Sequence, residues 1–221
     1  MNLSPSIGLD ELSLTQRKSL SNGIGDYQRL SIREYKGAEL IASCTDKEAT
    51  VLCDPTLTVS SDEWDALSNN CITPSKPYIF AYVLGNTRSV VSVFDVVTNR
   101  GVIPVVSLSD RARAEELPAG PAEFISLIEN AKHVVTDSFH AAVFASIFQK
   151  PLTIVKRDGG ADMFSRLDTL ATMLDLKHKI YDSAEFDFAY AGDYVGTSKR
   201  IEHECNRFMR YLSTCLELDS V

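Results

Sequence analysis

The run Val134-Val135-Thr136-Asp137-Ser138-Phe139-His140 joins an apolar strand to two strong helix-capping residues and then to a histidine in a first helical turn. In open parallel sheets, ligands bind beyond the carboxyl ends of strands, where the following helices begin. Asp137 or Ser138 can cap backbone NH groups there. Any NH group left uncapped, with the positive end of the helix dipole, forms a seat for phosphate or carboxylate. His140 would stand beside that seat as a proton donor. The dipole alone discourages its charged form and a bound dianion favours it, so proton donation belongs to the ligand complex. The plainer reading is a surface histidine or a local hydrogen-bond partner, and the residues alone leave both readings open.

Arg33 ends the apolar segment Leu30-Ser31-Ile32, so it too can sit at a strand's carboxyl edge and face a cleft. Its guanidinium could grip a carboxylate through two parallel hydrogen bonds. The competing reading is a solvated charge paired with Glu34 or Glu39. Lys156, Arg157 and Arg166 follow a later strand and could add positive potential to the same side, or lie in a solvated loop. Asp54-Pro55 reads as a turn, because proline ends the strand and aspartate accepts local NH bonds. His133 starts a strand without polar neighbours and reads as structural; His178 and His203 read as solvated.

Composition narrows the classes. The formal net charge is −8, which argues against a nucleic-acid binder, since such proteins need a basic face to displace counterions. An anionic substrate would have to be held by a few placed arginines against an unfavourable overall field. The five cysteines (Cys44, Cys53, Cys71, Cys205, Cys215) are scattered without CxxC spacing, and are read as reduced thiols of a cytoplasmic protein with no metal site. No apolar run approaches the roughly 18 residues of a membrane helix, and Met1 to Leu20 is polar, unlike a secretory signal.

The elements that must position these residues alternate short apolar runs with amphipathic stretches, the pattern of βα units and a parallel sheet. Strands are expected at Asp26 to Ile32, Thr50 to Cys53, Tyr78 to Leu84, Val102 to Val106, His133 to Thr136 and Leu152 to Val155. Helices are expected at Glu34 to Cys44, from Asp62, from Gly85-Asn86 to about Asn99, around Phe124 to Ala131, at Ser138 to Gln149, at Phe164 to Leu174 and at Ser198 to Leu218. Asn69 to Lys76 is the best linker. The fold class is therefore α/β, with a Rossmann-like parallel sheet as its main body. The chain divides into residues 1–72, a carboxyl-terminal Rossmann-like domain at 73–180 that carries the donor site, and a loop with a terminal helix at 181–221.

Several stretches, in order, resemble the polysaccharide pyruvyltransferase family. Leu30-Ser31-Ile32-Arg33-Glu34 is similar to its "S-V-R-E" segment, and Asp54-Pro55-Thr56-Leu57 followed by Trp64 is similar to its "D-P-T-L…W" segment. Gly120-Pro121-Ala122-Glu123-Phe124 and Asn130-Ala131 lead into Val135 to His140 as the family motif does. Lys150-Pro151, Ser165-Arg166-Leu167 and Leu174 to Leu176 continue it. No single piece is specific; the ordered set is.

The resemblance implies a GT-B-type arrangement of two Rossmann-like halves, of which residues 1–72 would be the remainder of the first. It implies transfer of the enolpyruvyl unit of phosphoenolpyruvate to two hydroxyls of a sugar or lipid-linked oligosaccharide, giving a cyclic ketal and phosphate, with no metal or nucleotide cofactor. His140 would be the general acid and Arg33 a donor ligand, with Ser138, Asp137, Arg157 and Arg166 around the same anion. Ser138 stands where some relatives carry arginine, and Ala141-Ala142 where many carry Gly-Thr; a methyl in place of glycine narrows backbone approach. Relatives carry a long additional amino-terminal stretch, so the terminal helix is expected to find little to cover, and pairing with a second copy becomes one way to complete the fold. The competing readings are a GT-B glycosyltransferase with a sugar-nucleotide donor, and a catalytically incomplete assembly module.

Overall fold

Valine- and isoleucine-rich runs, each leading into an amphipathic stretch, form two parallel sheets in this chain. The structure, a computed structural model, describes residues 2–68, 71, 73–86, 90–108, 119–158, 164–188 and 194–216. In chain order the elements are α1 (Leu14–Ile24), β1 (Leu30–Ile32), α2 (Tyr35–Cys44), β2 (Ala49–Val51), α3 (Ser61–Ser68), β3 (Ile79–Tyr82), α4 (Val91–Val97), β4 (Val105–Ser107), α5 (Pro121–Glu129), β5 (His133–Thr136), α6 (Phe139–Ile147), β6 (Leu152–Ile154), α7 (Ser165–Leu174) and α8 (Tyr194–Cys215). Short 3-10 turns lie at Pro55–Thr58 and Lys177–Lys179.

The larger sheet has the order β4-β3-β5-β6 with every pair parallel, and its register sets Ile79 opposite both Val105 and His133, and Val134 opposite Leu152. Ile79, Phe80, Val134, Val135 and Ile154 are fully buried, as expected of a parallel sheet covered on both faces. The chain leaves β3 in one direction for β4 and returns on the other side for β5. The crevice beyond the carboxyl ends of β3 and β5 is therefore a topological switch point, where ligands gather in such sheets. One face of the sheet carries α6, nine residues of which eight are buried. A helix apolar all round belongs inside a core. Its fully buried Ala141, Ala142 and Ala145 allow close approach, while Phe144 meets Trp64 and Phe124 edge-on at 5.1 and 6.1 Å.

The smaller sheet pairs β1 with β2, with Leu30 opposite Ala49. The segment before α1 is stitched alongside it. Ser4 donates its NH to Ser31 Oγ and its hydroxyl to the Cys53 carbonyl, and Arg33 N donates to the Pro5 carbonyl. Buried Glu34 accepts through one carboxylate oxygen from Ser6 Oγ, Ile7 N and Gly8 N. The two sheets are joined by α2 against α7, where Tyr35 N donates to Thr169 Oγ1 at 3.1 Å.

Several elements differ from expectation. Helix α1 lies in the stretch read only as polar; its sign in the sequence is Ser13-x-x-Gln16, a capping box in which each side chain reaches the other's backbone NH. The first strand shrinks to Leu30–Ile32. Strand β4 begins at Val105 because α4 stops at Val97 and Asn99, Arg100 and Gly101 then take positive φ values of 52°, 55° and 84° in a wide turn. Helix α8 starts four residues early, at Tyr194. It also has much to cover: it packs on α6, α7 and the 3-10 turn after β2. Cys205 Sγ bonds the Leu57 carbonyl at 2.9 Å, and Arg207 Nη2 donates to the Val51 carbonyl at 3.1 Å. The linker at 69–76, the helix start after Asn86, the polar loop before Pro121 and the end of α8 as expected fall partly outside the described residues. Among those described, no helix is long and apolar enough to cross a membrane.

Candidate functional site

Three strand ends converge at the switch point. Strand β1 delivers Arg33, the segment after β2 delivers Asp54, and β5 runs into α6 with Ser138 and His140. From the far side, the first turn of α7 brings Arg166. Asp54 is the hub. Its Oδ1 accepts from Thr56 N at 2.9 Å and so caps the 3-10 turn, while its Oδ2 accepts from Arg33 Nη1. The same Oδ2 lies 3.8 Å from His140 Nε2, and the Asp54 side chain is only 4% exposed. Burial pushes the Asp54 carboxyl up, but the Thr56 bonds and the Arg33 charge outweigh it and hold it below the usual range.

Phe139 supports the cationic side. The Arg33 guanidinium carbon stands 4.9 Å from its ring centre and that of Arg166 stands 6.0 Å from it, within cation–π range. His140 is half exposed. Burial lowers its pKa first; Asp54 raises it, Arg33 and Arg166 lower it, and the net direction is down. The free site thus favours neutral imidazole at neutral pH. Arg166 is also lowered, by burial and then by the Arg33 charge. Phe139, His140 and Arg166 of this cluster line a pocket of about 720 Å³, while Arg33 and Asp54 are not among its lining residues. Ser138, His140, Arg157 and Arg166 line its polar part; Tyr82, Leu84, Leu108 and Phe124 line an apolar wing.

The structure brings most of the expected residues together and changes what some of them do. Arg33 is neither solvated nor paired with Glu34 or Glu39; it is bonded to Asp54, and its Nε is buried without a hydrogen-bond partner. Asp137 does not line the main pocket. Its fully buried carboxylate accepts from Leu84 N and Gly85 N, both at 2.8 Å, and from Arg157 Nε at 3.1 Å. It is a brace that clamps the loop after β3 to the loop after β6, in place of the expected donor ligand. A side chain at Gly85 would collide there, since an added Cβ would lie 2.8 Å from Arg157 Cγ and 2.9 Å from the Asp158 carbonyl. Ser138 holds the N-cap position of α6 but makes no side-chain cap bond; its NH donates to Thr136 Oγ1 and the residue lines the pocket. Lys156 lies over the Phe164 ring at 5.3 Å.

Two histidine readings are also corrected. His133 has a polar neighbour, with Nε2 2.9 Å from Thr153 Oγ1, and burial pushes its pKa down to about 4. His178 is half-buried against the Lys179 segment. The residue that sequence reasoning missed is Asp54. Its local part, a cap on the turn, was legible in Asp-Pro-Thr. Its partners lie 21 residues away at Arg33 and across the sheet at His140, and no local pattern announces them.

Among the described residues, no group of three or more His, Cys, Asp or Glu side chains is placed to hold a metal ion. The family model described as polysaccharide pyruvyl transferase matches residues 3–159, which takes in Arg33, Asp54, His140 and Arg157. A comparison with curated proteins finds no match.

Proposed function

The chain belongs to the polysaccharide pyruvyl transferase family, and from that premise we propose that it moves the enolpyruvyl group of phosphoenolpyruvate onto a sugar of a polysaccharide or its lipid-linked precursor. The observation that carries this reading is the meeting of His140 with Arg157 and Arg166 at one switch-point pocket, with Arg33 set against the Phe139 ring that lines it, in a chain of net charge −8. Cations so concentrated against the overall field suit a small, multiply charged donor. The β1–β2 sheet is read as part of a first Rossmann-like half in a GT-B arrangement.

Charged His140 gives its proton to the methylene carbon of the donor, which becomes a methyl as positive charge develops on the adjacent carbon. One sugar hydroxyl attacks that carbon, and neutral His140 can take the proton it releases. A second hydroxyl then displaces the phosphate, closing the cyclic ketal. Of the two hydroxyl protons, one restores the proton given to the methyl and the other leaves with phosphate, so the site ends as it began. Arg157 and Arg166 offset the charge that gathers on the departing phosphate.

Calorimetry tests the donor. Phosphoenolpyruvate is expected to bind in preference to pyruvate, phosphate and UDP-glucose. Arg166→Ala is expected to weaken binding about 10- to 100-fold, the loss of one charge-assisted contact. Because free His140 is held neutral and a dianion favours its charged form, binding should take up a proton and weaken as pH rises past the ordinary histidine range. Selective binding of UDP-glucose would sink this reading in favour of a sugar-nucleotide transferase.

A three-carbon donor leaves most of the pocket empty, and the apolar wing is assigned to the acceptor. Tyr82 and Phe124 meet edge-on at 5.1 Å, offering an aromatic wall to the CH face of a sugar ring. Tyr82→Ala is expected to raise the acceptor KM about tenfold while leaving donor affinity unchanged in the calorimeter; a change confined to the donor would refute the assignment.

A further inference from the structure

We propose that Asp54 is the positioning residue of this site: one carboxylate oxygen both holds the Arg33 guanidinium and faces Nε2 of His140, aiming the imidazole into the pocket and keeping Arg33 from swinging onto it. The inference rests on the reading of His140 as proton donor. Its grounds are geometric. The Asp54 side chain is 4% exposed and its other oxygen is tied to Thr56 N, so the carboxylate cannot turn away. A buried carboxylate beside a residue that lines an anion pocket opposes donor binding, and such a charge is costly unless it is paired. Its pairing with Arg33 meets that cost and leaves the oxygen set against His140.

Among the described residues, the charged groups that act on His140 come from three elements: Asp54 after β2, Arg33 after β1 and Arg166 on α7. Two are cations, and Asp54 is the negative one among them. Without it, the imidazole would face two guanidinium groups with nothing to stabilise its charged form, and a donor dianion would have to supply all of that stabilisation. With it, part is already built in, and the ring is oriented before the donor arrives. Arg33 is used only in part, since Nη1 is on Asp54 and Nε is buried without a partner.

The test is an NMR titration of the His140 ring in the whole chain, with the resonance assigned through His140→Gln. Asp54→Asn is expected to move the midpoint to lower pH by roughly one unit, the effect of one charge near 4 Å in a partly solvated site. The proton uptake that accompanies phosphoenolpyruvate binding should move down by the same interval. Arg33→Gln should move the midpoint the other way, and it serves if Asp54→Asn does not fold. A folded Asp54→Asn protein with an unmoved midpoint, or an Arg33→Gln midpoint that fails to rise, would overturn the role. A merely structural aspartate would lower thermal stability and leave the midpoint where it was. If the midpoints move as expected but phosphoenolpyruvate does not bind, the donor assignment fails and the Asp54–His140 coupling stands. If the donor binds and the midpoints stay, only the Asp54 role fails.

Discussion

His140→Gln is expected to lower turnover by about 10²- to 10⁴-fold, the ordinary contribution of a positioned general acid, while donor affinity stays within about tenfold. The split follows from the geometry. The cations that line the pocket are Arg157 and Arg166, which glutamine leaves in place, whereas among the described residues no other titratable side chain that lines it can give a proton to carbon at neutral pH. Phosphate release from phosphoenolpyruvate in the presence of a polysaccharide acceptor measures the rate, and calorimetry measures the affinity. In heavy water the product methyl should carry solvent deuterium in the wild type, and should form at the reduced rate in the variant. Near-normal turnover of His140→Gln would remove His140 from the chemistry. In the active protein the rate should fall as pH rises through the midpoint of His140 in the donor complex, since the charged form is the acid.

The second large effect concerns stability. Asp137→Ala removes the acceptor of two backbone NH groups and one guanidinium from a site with no exposure of the carboxylate. Unpaired buried donors cost about 1–3 kcal/mol each, and breaking a buried ion pair costs about 3–5 kcal/mol. Arg157 is a quarter exposed and can turn to water, so the sum is discounted to about 2–4 kcal/mol, or on the order of 10 °C in Tm for a chain of this size. Thermal unfolding followed by circular dichroism reads it. The variant should also bind phosphoenolpyruvate more weakly, because Leu84 and Arg157 line the pocket that Asp137 braces. An unchanged Tm would show that the loop after β3 is held by something else.

The sequence carried the main sheet well, because a parallel sheet buried on both faces writes itself as runs such as His133 to Thr136 and Leu152 to Ile154, each followed by a helix. The capping position at Ser138 and the placement of His140 in the first turn were legible for the same reason: both are decided within a few residues. Reading failed where a side chain's role is set by partners far along the chain. Asp137 and Asp54 both read as local caps. One became a brace for two loops, and the other the hub between Arg33 and His140. Helix α1 was missed because it buries no residue of its own, so no apolar stripe marked it and only its capping box spoke for it. The turn at Asn99 to Gly101 displaced β4 through three successive left-handed residues, which hydrophobic patterning does not register.

The clasp of α8 on the segment after β2 sets an order of events during synthesis. Cys205 and Leu57 are 148 residues apart, and Arg207 and Val51 are 156. At the usual ribosomal pace of about 5–20 residues per second, the Asp54 turn waits on the order of ten seconds for its cover. For the first part of that interval, until β5 and α6 are made, Arg33 and Asp54 can meet alone, since both already exist. The growing chain therefore carries half of an anion site with an uncovered apolar edge around Leu52 and Leu57, and it is in this window that a chaperone or a like nascent chain would find it.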